Sequence, residues 1–188
     1  EMISPRSRSP PPSRRLVVSS SLSSVTFESG SLLTGVYEGA FYGCESLSDI
    51  LLPDSIIEIS DFAFYGCRSL KSIPVSGNTS LKGIYDYAMA YTGIEGAFTA
   101  PAYLADIGNY AFSGNRITSL TVPNDNAREL VIGLGAFYDC NSLKDITLPF
   151  IGASFEDLEY SWFSYIFGAG SYEAGDAYIF TNFHVVYN

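Results

Sequence analysis

The chain has 188 residues, room for one domain with a substantial core, and its 47% apolar and 16% charged content excludes a largely disordered protein. The net charge is −10; Arg6, Arg8, Arg14 and Arg15 against Glu1 put +3 in the first fifteen residues, which leaves −13 for the remainder. So acidic a surface repels phosphate and argues against a nucleic-acid partner, and no apolar run approaches the roughly 18 residues of a membrane-spanning helix.

Residues 1–21 are rich in Pro, Ser and Arg, with polyproline character at Ser9-Pro10-Pro11-Pro12-Ser13, and read as a disordered leader. The run Leu16-Val17-Val18 is too short for the core of a signal peptide. Leu22, Val25 and Phe27 then have the spacing of Leu47, Ile50 and Leu52 further on, as the strand half of an earlier repeat would.

From Ala40 the chain reads A-F-Y-G-C-E-S-L-S-D-I-L-L-P, and the stretch returns at Ala63, Ala88, Ala111 and Ala136. The anchors Phe41, Phe64, Met89, Phe112 and Phe137 are 23, 25, 23 and 25 residues apart. A period of this size signifies a solenoid, in which stacked coils bury a face that one repeat cannot cover alone. In each repeat the segment L-x-x-I-x-L-P alternates as a short strand does (Ile50 and Leu52; Ile73 and Val75; Leu120 and Val122; Ile146 and Leu148), and the proline ends it. These strands are expected to form one parallel ladder. The second half, I-x-x-x-A-F, turns inward at a small Ala and fills the space between coils with the next side chain. Pro74 interrupts its strand, and Thr92 and Asn115 stand where other repeats have Cys44, Cys67 and Cys140. Strands roughly 4.8 Å apart put Cys44 and Cys67 within disulfide reach, whereas stacked side chains point the same way, so their pairing stays open. After Pro149 the period stops, and 150–188 reads as an aromatic, Gly-rich spacer or C-terminal cap after a repeat region spanning 22–149.

The pattern I-x-x-x-A-F-x-x-C-x-S-L-x-x-I-x-L-P resembles the leucine-rich repeat, about 23 residues long, of BspA-like bacterial surface proteins. Leu148–Ala153 and Tyr165–Ala169 are similar to a spacer between repeat blocks in such proteins. The resemblance implies an α/β leucine-rich-repeat solenoid, horseshoe-like, right-handed and β-dominated, of about five to six coils. It also implies an extracellular or cell-surface location, an often adhesive role and no catalytic residues to carry over.

The residues themselves offer little chemistry. His184 is the one histidine and no G-x-S-x-G is present. Gly168-Ala169-Gly170 begins like a dinucleotide loop, but Glu173 stands where the third glycine belongs. Glu156, Asp157 and Glu159 lack the spacing of a calcium loop, and Asn78-Thr79-Ser80 is a glycosylation sequon that a bacterial origin would leave silent. No enzyme, cofactor or metal is expected. If Ile50 and Leu52 face inward, the alternate residues form an outer row on the concave face. The expected protein-binding residues are Leu51, Lys71, Glu95, Phe98, Thr121, Asp145 and Thr147, with Phe62, Tyr87 and Tyr110 as a rival convex row explained by stacking. The partner expected for this row is a host or neighbouring-cell surface protein. The alternative is a structural spacer that displays other domains of a larger surface protein.

Overall fold

A computed structural model describes residues 19–123, 130–149, 163–168 and 184–187. Its strands in chain order are β1 (Ser24–Val25), β2 (Gly35–Val36), β3 (Asp49–Ile50), β4 (Glu58–Ile59), β5 (Gly83–Ile84), β6 (Glu95–Thr99), β7 (Asp106–Ile107), β8 (Arg116–Thr121), β9 (Val131–Ile132), β10 (Asp145–Leu148) and β11 (His184–Tyr187). They form a β-solenoid, and among the described residues the helical part is one 3-10 turn at Phe163–Phe167. The apolar period explains this outcome, since each coil presents the same inward residues to its neighbour and two residues of pairing per strand suffice when repeated.

The L-x-x-I-x-L segments pair in parallel as expected, but in two pieces. β1 pairs with β3, and β6, β8, β10 and β11 form a four-stranded sheet. The break falls at Ile73-Pro74-Val75, where proline has no N–H to give and Val75 N bonds back to Ile73 O at 3.0 Å instead. The single ladder is therefore corrected to an interrupted one. A second parallel sheet, β2-β4-β5-β7-β9, runs through the I-x-x-x-A-F halves. Its inward residues are Val36, Ile59, Ile84, Ile107 and Ile132, all buried.

The anchor turn adds a third line of inter-coil bonds. Phe41 N, Phe64 N, Met89 N and Phe112 N donate to the carbonyls of Ala63, Ala88, Ala111 and Ala136 at 2.7–2.8 Å, and Phe137 N donates to Ile166 O at 2.9 Å. Residues beyond Pro149 thus continue the stack, at Ile166 and again in β11. Ala63, Ala88, Ala111 and Ala136 have no exposed surface, as the expected close approach requires. Phe64 stacks on Phe41 at 5.1 Å and Phe112 on Phe137 at 5.5 Å, with Met89 between the pairs.

Each turn bends by a left-handed residue on either side of its Ala. Before it stand Gly39, Phe62, Tyr87, Tyr110 and Gly135, and three residues after it stand Gly43, Gly66, Tyr91, Gly114 and Asp139, all at φ between 54° and 75°. The outer coils use glycine at the first position, where φ is unstrained, while the central coils put aromatic rings there. Those rings recover energy by stacking: Phe62–Tyr87 and Tyr87–Tyr110 are each 5.1 Å apart and nearly parallel.

Candidate functional site

The expected binding row is only partly assembled. Leu51 is 66% exposed beside β3. Glu95 lies between two cations, 3.2 Å from Lys71 Nζ and 3.6 Å from Arg116 Nη2. Thr121 is half-buried and in register with Thr99 and Thr147, and Asp145 is exposed, in register with Ser119.

Phe98 does not belong to the row. It is 5% exposed, and its ring lies 4.6 Å from that of Phe112 in the core. The register between β6 and β8 shifts between Gly96 and Ala97, with Gly96 at φ 80°, and then pairs Phe98 with inward Leu120. A slip of one residue exchanges the faces of a strand, so Ala97 and Thr99 point out and Phe98 and Ala100 point in. The sequence carried a usable signal. Phe98 is nine residues after Met89, as inward Ile50, Ile73 and Ile146 are after Phe41, Phe64 and Phe137.

The cysteine column is structural. Cys44, Cys67 and Cys140 are buried and unpaired, which settles the open disulfide. Cys67 Sγ donates to Phe41 O at 3.1 Å and Cys140 Sγ to Phe112 O at 3.2 Å. Burial, the dominant cause, pushes both thiols up to about 12, so neither is a thiolate nucleophile at neutral pH. Asn115 takes over the same task in its coil, with Nδ2 2.8 Å from Met89 O. Asn78 of the sequon is buried, its Oδ1 accepting from Ser80 N at 2.7 Å and Leu81 N at 2.9 Å. The Gly168-Ala169-Gly170 loop beyond Gly168, the Glu156 to Glu159 cluster and residues 1–18 lie outside the described residues.

A second surface escaped the sequence reading: the outer side of the β2-β4-β5-β7-β9 sheet. Its outward row is Gly35, Glu58, Gly83, Asp106 and Val131, in direct register. The rings of Tyr37 and Tyr85 lie over the two glycines. A Cβ on Gly35 would come 3.1 Å from Tyr37, and one on Gly83 2.7 Å from Tyr85. Lys82 Nζ sits 5.1 Å from the Tyr103 ring centroid. Behind the row, side chains of the neighbouring turn form a ladder: Asp86 N donates to Asp61 Oδ1 (3.1 Å), Asn109 N to Asp86 Oδ1 (2.7 Å) and Leu134 N to Asn109 Oδ1 (2.9 Å).

These carboxylates act on one another. Burial first, then the charges of Asp86 and Asp61, push Asp106 up from its ordinary 3.8 to about 6. Burial, then Asp106, Glu58 and Asp61, push the Tyr85 phenol up. The folded chain therefore holds a proton at Asp106 that the unfolded chain releases between about pH 4 and 6. Stability from this group is greatest below that window and is lost as pH rises through 6. Thermal melts should show the parent gaining stability from pH 7 to 5 relative to Asp106→Asn, with the variant the more stable at pH 7. A parent and variant that differ by the same amount at both pH values would overturn this reading.

Against known proteins, the family model for the BspA type leucine rich repeat region matches in 6 copies, over residues 17–115 and 76–166. A leucine-rich repeat protein from Eubacterium ventriosum is 26% identical with a TM-score of 0.55, the match covering 66% of this chain and 31% of that one. The T. pallidum leucine rich repeat protein is 33% identical, also at a TM-score of 0.55, over 65% of this chain and 55% of that one. The chain thus spans about a third and about half of the length of these two structures. No curated relative matches. The repeat pattern, the stacked coils and the matched model agree, and the chain belongs to the BspA-type leucine-rich-repeat family.

Proposed function

We propose that the chain is a non-catalytic, adhesin-like protein-binding module of the cell surface, with a host or neighbouring-cell surface protein as partner. The observation that carries the reading is the exposed side of the first ladder. It presents Leu51 at one end, the Lys71–Glu95–Arg116 group in the middle, and Thr121, Asp145 and Thr147 along β8 and β10. A rigid row repeated from coil to coil suits a broad contact of modest affinity, since little ordering entropy is lost on docking. Family membership supports the reading, because solenoid repeats present extended surfaces on which partners dock. Of the three cysteines, all buried, Cys67 and Cys140 are committed to backbone carbonyls.

The test immobilises the chain, captures and identifies a protein from a cell-surface fraction, and re-measures that protein in purified form. The purified partner should bind the parent and fail to bind Leu51→Glu with Lys71→Glu, a variant first checked for an unchanged melting temperature. Binding that survives the pair would refute the assignment of this face. A chain that captures no surface protein at all would support the second reading, a spacer displaying other domains of a larger surface protein.

A further inference from the structure

We infer that the outer side of the second sheet is a separate docking surface for an extended basic protein segment carrying Arg or Lys at every third residue. The inference rests on the reading of the chain as a protein-binding module, but on a different face. Among the described residues the exposed large hydrophobics are Leu32, Tyr37, Leu51, Ile57, Tyr91, Tyr103 and Val131. Five of these (Leu32, Tyr37, Ile57, Tyr103 and Val131) lie on this sheet or at its entry, with Leu32 and Tyr103 each three residues ahead of their strands. Such a concentration marks an interaction site more than scattered surface apolars do.

The charges select the occupant. Glycine at positions 35 and 83 lets Tyr37 and Tyr85 lie down on the sheet, and the carboxylates of Glu58 and Asp106 stand in the same row, each next to a ring-covered glycine. Neither carboxylate has an ion-pair partner among the described residues. Among the described residues the cation on this face is Lys82, placed over Tyr103. Glu58 and Asp106 are two strands apart, about 9.6 Å at the usual strand spacing. A polyproline-type segment rises about 9.3 Å per turn of three residues, so a cation at every third position meets both acids while the residues between lie against the tyrosines. A second copy of this acidic chain would set carboxylate against carboxylate, which disfavours self-association through the face.

The probe is a labelled peptide of four Arg-Pro-Leu repeats, titrated into the full chain by fluorescence anisotropy. The parent should bind it, and Glu58→Gln with Asp106→Asn should weaken binding by about tenfold or more. Glu28→Gln with Asp54→Asn removes the same charge from exposed positions elsewhere and should leave affinity unchanged, as should Leu51→Glu with Lys71→Glu on the other face. The peptide with Gln for Arg should not bind. The inference is overturned if both charge-removing pairs weaken binding alike, which is diffuse attraction, or if the Gln peptide binds as well as the Arg peptide. It also fails if the folded parent does not bind, or if the parent proves to be a dimer that loses its interface in Tyr37→Ser with Ile57→Ser. Loss of this binding with retention of the surface-protein partner of the first face would remove this inference and leave that proposal standing.

Discussion

Replacing Phe64 by Ala should cost about 3–5 kcal/mol, the usual range for a phenylalanine removed from a packed core. Phe64 has no exposed surface, stacks on Phe41 at 5.1 Å, and sits in a turn whose N–H bonds to Ala88 O at 2.7 Å in the next coil. The following coil has Met89 in its place, whose flexible side chain closes over part of the cavity, so the cost is expected within this range and not above it. A domain of this size holds only about 5–15 kcal/mol in total. A solenoid also transmits the loss, because each coil is stable only through its neighbours. The substitution should therefore shift the whole urea transition rather than fray one end. Lys144→Ala, on an exposed residue with no side-chain partner among the described residues, is the control and should leave the midpoint in place. Coincident transitions for Phe64→Ala and the parent would refute the role of the anchor column.

That column was legible in the sequence because it repeats at a nearly constant spacing with a large apolar residue after a small one, and nothing but coil stacking asks for that pair. The register of one strand was not legible by local pattern. The turn at Thr92-Gly93 is a residue short, and carrying that deletion into the strand places Phe98 outside. Gly96 restores the register with a left-handed residue, so the count from Met89, not the alternation, holds the information. The second sheet was invisible for a different reason. Its strands are two residues long, and two residues contain no alternation; the outer positions are Gly, Glu, Gly, Asp and Val, which share no property.

Two local signals were nonetheless present. Gly35-Val36-Tyr37 and Gly83-Ile84-Tyr85 each set a glycine two residues before a tyrosine, which is what a ring needs to fold back over its own strand. Asp61-Phe62-Ala63, Asp86-Tyr87-Ala88 and Asn109-Tyr110-Ala111 each set a short carbonyl-bearing side chain two residues before the inward Ala. Such side chains readily bond nearby backbone N–H groups, and here the acceptors serve the next coil instead of their own turn. The same triplets put the ring at the left-handed position, so one motif accounts for both the aromatic stack and the Asp/Asn ladder behind the second sheet.

Asn115→Leu should cost about 1–3 kcal/mol although the side chain is replaced by one of similar volume. Asn115 is 2% exposed and uses its whole amide: Nδ2 donates to Met89 O and Phe112 O, both at 2.8 Å, and Oδ1 accepts from Thr92 Oγ1 at 2.6 Å. Leucine removes both donors. Met89 O keeps only the 3.3 Å contact with the Thr92 hydroxyl, and Phe112 O only the weak thiol of Cys140 at 3.2 Å. The cost arises from leaving buried carbonyls poorly satisfied, not from lost packing. Asn115→Cys separates the two causes. It makes a smaller side chain, which packing alone would penalise more, but it restores the donor that Cys67 and Cys140 supply to the preceding coil at the same repeat position. Urea midpoints should therefore fall in the order parent, Asn115→Cys, Asn115→Leu. If leucine equals the parent, or outranks cysteine, then packing rather than carbonyl satisfaction governs this position of the repeat.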